Sequence, residues 1–257
     1  MATATTTTIL TITPNAMREN VDPTRLASPL ADATGVTFDL DDTLVSYRRS
    51  PGEVLAAAFA AVGVDPIFPV EAYYDRFAEF NDRTDSMAQL RTECFAALCE
   101  ERDRDPDLGR VVADAFADER DHANVAWRPG ARDLLDALDA RGVPYAVVTN
   151  GPPDAQSAKV GAVGLDDRAV DVVFAGHDAP AKPDVGAFEA GLSALDTHPG
   201  DAVHVGDSPE SDAAGAIAAG LRAVLVGDRG PTPSGAVRVP SLGALLAPDL
   251  VGDDPRN

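Results

Sequence analysis

The chain has 257 residues and a mass of 26.7 kDa, and its 45% hydrophobic and 25% charged residues are typical of an ordinary globular protein. No apolar run approaches the roughly 18 residues that a membrane span needs, so the composition excludes membrane insertion. The 42 Asp and Glu residues outnumber the 21 Lys and Arg residues, and the net charge of -21 would repel a nucleic acid.

The basic residues are almost all arginine, because Lys159 and Lys182 are the only lysines of the chain. Self-repulsion at such a net charge destabilises a compact state, but molar salt shortens the Debye length to about 3 Å and removes most of this repulsion. The composition therefore predicts a protein of a high-salt cytoplasm, such as that of a halophilic archaeon.

The two ends of the chain are predicted to lie outside the folded part. Residues 1–33 are expected to be disordered or extended, and residues 251–257 to form a C-terminal tail. The first 16 residues are rich in threonine and lack the basic start and long apolar segment of a signal peptide. Met17 is an alternative start of the chain.

A short strand and a helical insert come next in the chain. Residues 35–39, with the sequence GVTFD, form a β-branched apolar run that predicts a buried strand. Residues 50–125 have helical patterning, punctuated by Pro66, Pro69 and Pro106. We expect this stretch to form a separate helical domain.

Strands and helices alternate over residues 126–250. The predicted strands have the sequences PYAVVTN, VDVVFAG, DAVHVGD and RAVLVG, and stretches with helical patterning separate them. This alternation predicts right-handed crossovers and an α/β fold with a Rossmann-like, doubly wound parallel sheet. Ligands of such sheets bind at the carboxyl ends of the strands.

Four polar clusters are predicted to meet at that edge of the sheet. Three follow predicted strands and one lies in a loop, and their sequences are DLDDT from Asp39, VVTNG ending at Gly151, AKPD around Lys182, and VGDSPESD ending at Asp212. Carboxylates suit a hard divalent cation, a hydroxyl and backbone amides suit phosphate oxygens, and an ammonium group offsets their negative charge.

In this order, the four clusters resemble the motifs of the haloacid dehalogenase superfamily of hydrolases. The resemblance covers about residues 35–245, and its specificity lies in the combination of motifs. It implies a Rossmann-like core of residues 34–49 and 126–250, with a helical cap domain of residues 50–125 inserted after the first strand.

The resemblance also implies a Mg²⁺-dependent phosphatase that acts on a small phosphorylated metabolite. Asp39 would be the nucleophile that forms an aspartyl-phosphate, and Asp41 the general acid and base. The phosphoryl group would be held by Thr149, Asn150, Gly151 and Lys182. The Mg²⁺ ligands would be Asp39, the backbone carbonyl of Asp41 and Asp207, while Asp212 would act on the metal mainly through water or as a carboxylate beyond the direct ligands. A carboxylate repels a phosphate dianion, so Asp39 can attack only if Mg²⁺ and Lys182 offset that repulsion.

Three alternatives remain open. A haloacid dehalogenase proper has this fold but works without the metal and generally lacks an acid at the position of Asp41. A phosphomutase would return the phosphoryl group to its substrate when the cap excludes water. A non-catalytic member would bind a phosphorylated metabolite or a partner protein, although the sequence indicates no particular protein partner.

Several other residues are expected to serve the structure rather than the chemistry. Lys159, which with Gln156 follows the second motif, is predicted to have a structural role, and His204 to pack in the core. Cys94 and Cys99 have no zinc-ligand or disulfide pattern around them and are predicted to be buried and reduced.

Overall fold

The computed structural model describes residues 29–246 except for residues 82 and 85. The predictions for residues 1–28, for Met17 and for the C-terminal tail therefore lie outside the described residues. Among the described helices, none is both long and apolar enough to cross a membrane.

The described chain contains eight strands and eight α-helices. In chain order these are β1 (Gly35–Phe38), β2 (Val45–Tyr47), α1 (Pro51–Val62), α2 (Val70–Asn81), α3 (Met87–Glu100), α4 (Pro106–Glu119), β3 (Val125–Trp127), α5 (Ala131–Arg141), β4 (Tyr145–Asn150), α6 (Pro153–Val163), β5 (Val172–Ala175), α7 (Val185–Leu195), β6 (Ala202–Gly206), α8 (Gly215–Ala218), β7 (Arg222–Val226) and β8 (Ala236–Val239).

Six of the strands form one parallel sheet in the order β5-β4-β1-β6-β7-β8. Counted along the chain within this sheet, the order is the 3-2-1-4-5-6 arrangement of a doubly wound fold. The winding direction reverses between β1 and β6, and a ligand crevice is expected at the carboxyl ends of these strands. The predicted α/β fold with a parallel sheet is confirmed.

The sheet is covered on both faces, which explains why its strands are nearly continuous apolar runs. Every residue of β1 and β6 is buried. Leu30 and Ala33, which were predicted to belong to the N-terminal segment, are buried in the same core. His204 is fully buried, with Nδ1 2.9 Å from the Thr37 hydroxyl and its ring edge-on to Phe188, so its predicted place in the core is confirmed.

Helices α1 to α4 form a unit with an apolar core of its own. Ser50 begins this unit with a capping box, because its hydroxyl accepts from the Glu53 N–H while the Glu53 carboxylate accepts from the Ser50 N–H. Helices α3 and α4 pack closely, since a Cβ atom on Gly109 would lie 2.3 Å from the carbonyl oxygen of Phe95. Buried aromatic rings and the two free, buried cysteines fill the interior, at Phe59, Phe68, Phe95, Phe116, Cys94 and Cys99.

The chain enters and leaves this four-helix unit through a short antiparallel pair. Strands β2 and β3 pair with Val45 opposite Trp127 and Tyr47 opposite Val125. Neither three-residue strand was predicted from the sequence. The pair joins the four-helix unit to the sheet just after the acidic turn that follows β1.

Candidate active site

The carboxyl ends of β1, β4 and β6 converge with the loop before α7 on a cavity of about 240 Å³. The cavity is lined by Asp39, Asp41, Asp42, Thr149, Asn150, Lys182, Asp207, Ser208, Ser211, Asp212 and Arg229. All predicted site residues except Gly151 are in this lining. Gly151 follows β4 with a φ of 131°, a backbone conformation that favours glycine.

Asp39 occupies the turn directly after β1. Its N–H donates to the carbonyl of Val205 at 2.9 Å, which ties the start of the turn to β6. Its Oδ1 accepts from Nζ of Lys182 at 2.7 Å. Burial raises the pKa of Asp39 to about 7; Lys182 opposes this shift, whereas Asp212 and Asp207 add to it. The ionisation of Asp39 therefore depends on the charges placed around it.

Lys182 joins two carboxylates. Its Nζ also donates to Oδ1 of Asp212 at 2.7 Å, and its side chain is only 1% exposed. Burial alone would lower the pKa of Lys182, but Asp39 and Asp212 together raise it, so the amine stays protonated. The side-chain amide of Asn150 fixes the Lys182 backbone, donating to its carbonyl at 3.0 Å and accepting from its N–H at 2.9 Å.

Asp212 lies on a π-helical turn, Pro209–Ala214, that leads into α8. Its Oδ2 accepts from the Ser208 N–H at 2.9 Å. Burial opposes its ionisation, but His204 and Lys182 outweigh that effect and hold the pKa of Asp212 below its ordinary value. A Cβ atom on Gly206 would lie 2.4 Å from the carboxyl carbon of Asp212, so position 206 at the end of β6 has room only for glycine.

Three carboxylates form a candidate metal centre. Asp39, Asp207 and Asp212 each offer an oxygen, and these oxygens lie within 4.8 Å of one another. Burial raises the pKa of Asp207 to about 6, an effect that Arg229 opposes from 2.7 Å away. Carboxylates this close repel each other unless cations offset their charge, and two of these three are buried. Hard oxygen donors are the ligands that Mg²⁺ prefers. The residues therefore fit a divalent cation.

The side chain of Asp41 lies outside this cluster of carboxylates. Its two oxygens accept from Nζ of Lys159 at 2.7 and 2.6 Å, and Oδ2 also accepts from Nε2 of Gln156 at 3.0 Å. Lys159 was predicted only to support the structure, so its contact with a candidate catalytic residue was missed. One sequence signal could have revealed it, since the other lysine of the chain also lies in the site.

Thr149, the last residue but one of β4, is buried and lines the cavity. The hydroxyl oxygen accepts from Nε2 of Gln156 at 2.6 Å. Its own proton has only a long contact of 3.5 Å to the Asn150 carbonyl, so a phosphate oxygen in the cavity could accept it.

Arg229 is a cavity residue that no sequence pattern indicated. It lies in the loop after β7, with its side chain 61% exposed, and pairs with Asp207 at 2.7 Å and with Asp42 at 3.4 Å. The Arg238 guanidinium fixes this loop by donating to the carbonyls of Gly227, Arg229 and Gly230.

The comparison with protein families agrees with this geometry. The model of the haloacid dehalogenase-like hydrolases matches residues 33–220. The chain belongs to this family. The predicted membership of the haloacid dehalogenase superfamily, and with it the prediction of a hydrolase, is confirmed.

Several curated relatives of this haloacid dehalogenase-like hydrolase are phosphatases. A phosphoserine phosphatase from Thermus thermophilus is 36% identical over 153 residues, which make up 60% of this chain and only 60% of that relative. A phosphoglycolate phosphatase from Rhodospirillum rubrum is 34% identical over 198 residues, 74% of this chain and 78% of the relative. A ribulose-1,5-bisphosphate 5-phosphatase from Halopiger xanaduensis is 30% identical over 209 residues, 75% of this chain and 84% of the relative.

Solved structures of the family have the same fold. CbbY from Rhodobacter sphaeroides, in complex with phosphate, is 25% identical, with a TM-score of 0.57 over 85% of this chain and 97% of its own. A 2-haloacid dehalogenase from Pseudomonas syringae is 28% identical, with a TM-score of 0.54 over 82% of this chain and 95% of its own.

Proposed function

We propose that this hydrolase is a Mg²⁺-dependent phosphatase that cleaves a small phosphomonoester through an aspartyl-phosphate on Asp39. The observation that carries the proposal is the position of the Lys182 ammonium group, 2.7 Å from both Asp39 and Asp212, at the edge of the three-carboxylate cluster. This arrangement offers a nucleophile and the positive charge that a phosphate dianion requires. The curated relatives named as phosphatases support the same reaction class.

The metal centre would use oxygen ligands from two strand ends. Asp39, Asp207 and Asp212 would hold Mg²⁺, Asp212 mainly through water, and Asp41 would add its backbone carbonyl. When bound, the ion supplies two positive charges that offset the negative charge of the phosphoryl group and of its nucleophile.

The protein side chains would divide the reaction into two steps. Lys182 and the Thr149 hydroxyl would hold phosphoryl oxygens while a carboxylate oxygen of Asp39 attacks phosphorus, and the bond from phosphorus to the leaving oxygen breaks. Asp41 would give that leaving oxygen its proton. In the second step Asp41 would take a proton from water as the water attacks phosphorus, which releases inorganic phosphate and restores Asp39.

We propose that the four-helix unit is a cap domain of residues 50–125 on a core of residues 34–49 and 126–250. The β2 and β3 pair that carries it follows the turn of Asp39 and Asp41 directly, so a movement of the unit would change access to the cavity. The three relatives described above are named for three different substrates, which is consistent with a substrate set by residues outside the motifs.

A dehalogenase is the second candidate function, favoured by the 28% identity to the enzyme from Pseudomonas syringae. Such an enzyme would release halide without a metal and would not need Asp41. The Lys159 and Gln156 contacts that hold the Asp41 carboxylate favour the phosphatase, because they maintain an acid at a position that dehalogenation does not use.

The deciding experiment measures phosphate release by purified protein in high salt with Mg²⁺. The substrates would be nucleotides, sugar phosphates, phosphoserine, phosphoglycolate and polyol phosphates. Turnover that a chelator abolishes and Mg²⁺ or Mn²⁺ restores would support the proposal. Chloride release from 2-chloropropionate in chelator would establish the dehalogenase instead. Phosphoryl transfer to a second metabolite would indicate a mutase, and binding without turnover a non-catalytic member.

A further inference from the structure

We propose that Lys159 is a positioning residue that holds the general acid and base Asp41 in place, an inference that rests on the proposed function. Lys159 lies on α6, 118 positions after Asp41 in the chain. Its Nζ contacts both carboxylate oxygens of Asp41, at 2.7 and 2.6 Å. A cation that contacts both oxygens restrains both the position and the rotation of the Asp41 carboxylate.

The use of lysine in this chain points to a specific requirement at this position. Of 21 basic residues only Lys159 and Lys182 are lysine, and both are buried, at 5% and 4% exposure. Every other described ion pair that involves Lys or Arg uses arginine. The ammonium group of lysine is more compact than a planar guanidinium group, which favours lysine where a buried cation has little space. The two positions that retain lysine are those that contact Asp39 and Asp41.

The burial of Lys159 also needs an explanation, because removing an ammonium group from water is strongly unfavourable unless a partner compensates. Two neighbours compensate the ammonium group. The Asp41 carboxylate contacts it directly, and it lies over the Tyr47 ring, with the ring centroid 4.9 Å from Nζ. The Tyr47 hydroxyl is in turn 2.6 Å from Nδ1 of His122. The ammonium group therefore contacts both Asp41 and an aromatic residue of β2.

Gln156 holds Asp41 from the neighbouring turn of the same helix. Its Nε2 contacts Oδ2 of Asp41 at 3.0 Å and the Thr149 hydroxyl at 2.6 Å. One amide group therefore sets the distance between the acid and a phosphate-binding hydroxyl. The Asp41 side chain is still 39% exposed, so the held carboxylate remains open to the cavity.

The test uses two aryl phosphates that differ in their need for a proton. Phenolate is about as basic as a tyrosine side chain, so phenyl phosphate needs the proton from Asp41, whereas 4-nitrophenolate leaves readily without it. A misplaced catalytic group can cost about 10²-fold in rate. We expect Lys159→Met to lower kcat/KM for phenyl phosphate about 10²-fold. The loss of kcat/KM for 4-nitrophenyl phosphate should be smaller than this loss by a factor of about ten or more.

A double-mutant cycle separates positioning from a general effect on the fold. If Lys159 acts only through Asp41, adding Lys159→Met to Asp41→Asn should cause little further loss with phenyl phosphate. Equal losses on both substrates, or a full additional loss in the double variant, would overturn the inference. If Lys159→Met does not fold, as judged by circular dichroism, Lys159→Gln is measured in the same way.

The two proposals fail differently. If Asp41→Asn itself does not discriminate between the two aryl phosphates, the role of Asp41 in the proposed function is wrong. If Asp41→Asn loses more kcat/KM with phenyl phosphate than with 4-nitrophenyl phosphate, but both Lys159 variants lose equally with the two substrates, only the positioning role of Lys159 is wrong.

Discussion

The ammonium nitrogen of Lys182 lies 2.7 Å from Oδ1 of Asp39, in a side chain that is 1% exposed. Because Asn150 fixes the Lys182 backbone through two hydrogen bonds, the ammonium group is delivered to this position by the loop and not only by its flexible stem. The cation is therefore in place before substrate binds, which is the condition for electrostatic preorganisation.

Lys182→Arg should reduce kcat/KM for 4-nitrophenyl phosphate by about 10²- to 10³-fold, the range for the loss of one preorganised charged or hydrogen-bonding group. The substitution keeps the charge, but a planar guanidinium does not fit between two carboxylate oxygens that each lie 2.7 Å from a single nitrogen. The converse surface substitution, Arg110→Lys, is the control and should leave the rate unchanged. If Lys182→Arg turns over substrate at the wild-type rate, Lys182 only balances the charge of the carboxylates and is not required as an ammonium group.

The raised pKa of Asp39 predicts a pH-dependent cost of folding in the metal-free protein. With its pKa at about 7 in the folded state against 3.8 ordinarily, Asp39 keeps a proton that the unfolded chain has already lost. Its contribution to the free energy of unfolding is therefore fully present below about pH 4 and is lost as pH rises to about 7, by at most about 1.4 kcal/mol per pH unit.

Asp39→Asn carries no such proton. In urea denaturation with a chelator, its stability relative to wild type should increase between about pH 5 and pH 7 and then level off. Taking the difference between the two proteins removes the opposing contributions of His204 and His122, whose pKa values are lowered mainly by burial. The control is Asp107→Asn, at an exposed carboxylate, and the pH dependence of its free energy of unfolding should match that of wild type. Parallel pH curves for Asp39→Asn and wild type would contradict the raised pKa.

The parallel sheet could be predicted from the sequence because strands buried on both faces are short apolar runs, as in Tyr145–Asn150 and Ala202–Gly206. Strands β2 and β3 have three residues each, too few for a periodic pattern to appear. The stretch between β6 and β7 has helical patterning, but Pro209–Ala214 form a π-helical turn rather than a regular α-helix. Within this turn Asp212 accepts from the Ser208 N–H, which is a local contact. Its contact with Lys182 is tertiary, because the two residues lie 30 positions apart, so local sequence does not reveal it.

The motif residues of the site could likewise be predicted, because three of the four motifs lie at strand ends on the same edge of the sheet and the fourth lies in a loop beside them. Arg229 could not, since it belongs to a loop whose position depends on Arg238 contacts. The pairing of Lys159 with Asp41 joins residues 118 positions apart on different elements, and a spacing rule cannot show such a contact. Only the retention of lysine at position 159 carried a signal.

The net charge of -21 predicts that stability depends on salt. Raising KCl from about 0.1 M to about 1 M shortens the Debye length from about 10 Å to about 3 Å, so repulsion between surface carboxylates falls and the melting temperature should rise. Replacing two exposed carboxylates of α4 in one variant, by Asp114→Asn and Asp118→Asn, should make the rise in melting temperature with KCl smaller. An uncharged osmolyte in place of KCl is the control, and it should raise the melting temperatures of the variant and the wild type equally. A melting temperature that does not change with salt would contradict the proposed high-salt origin.

The two aspartates of the first motif can be separated by the chemical step that each serves. Asp39→Asn should abolish turnover of every phosphomonoester, because an amide is a very poor nucleophile and no aspartyl-phosphate can form. Asp41→Asn keeps the nucleophile, and its proposed metal contact is a backbone carbonyl that the substitution leaves in place. Only proton transfer is lost, so an alkyl phosphate should react about 10²- to 10⁴-fold more slowly.

With 4-nitrophenyl phosphate the Asp41→Asn variant should still form the phosphoenzyme, because the leaving nitrophenolate is stable without a proton. Hydrolysis of the aspartyl-phosphate lacks its base in this variant, so the intermediate should accumulate. Rapid mixing should show a nitrophenolate burst near one equivalent of enzyme, together with protein-bound phosphate that is stable in acid and sensitive to hydroxylamine. If Asp41→Asn slows both substrates equally and no phosphoenzyme appears, Asp41 is not the acid and base, even with its carboxylate held at the cavity by Lys159 and Gln156.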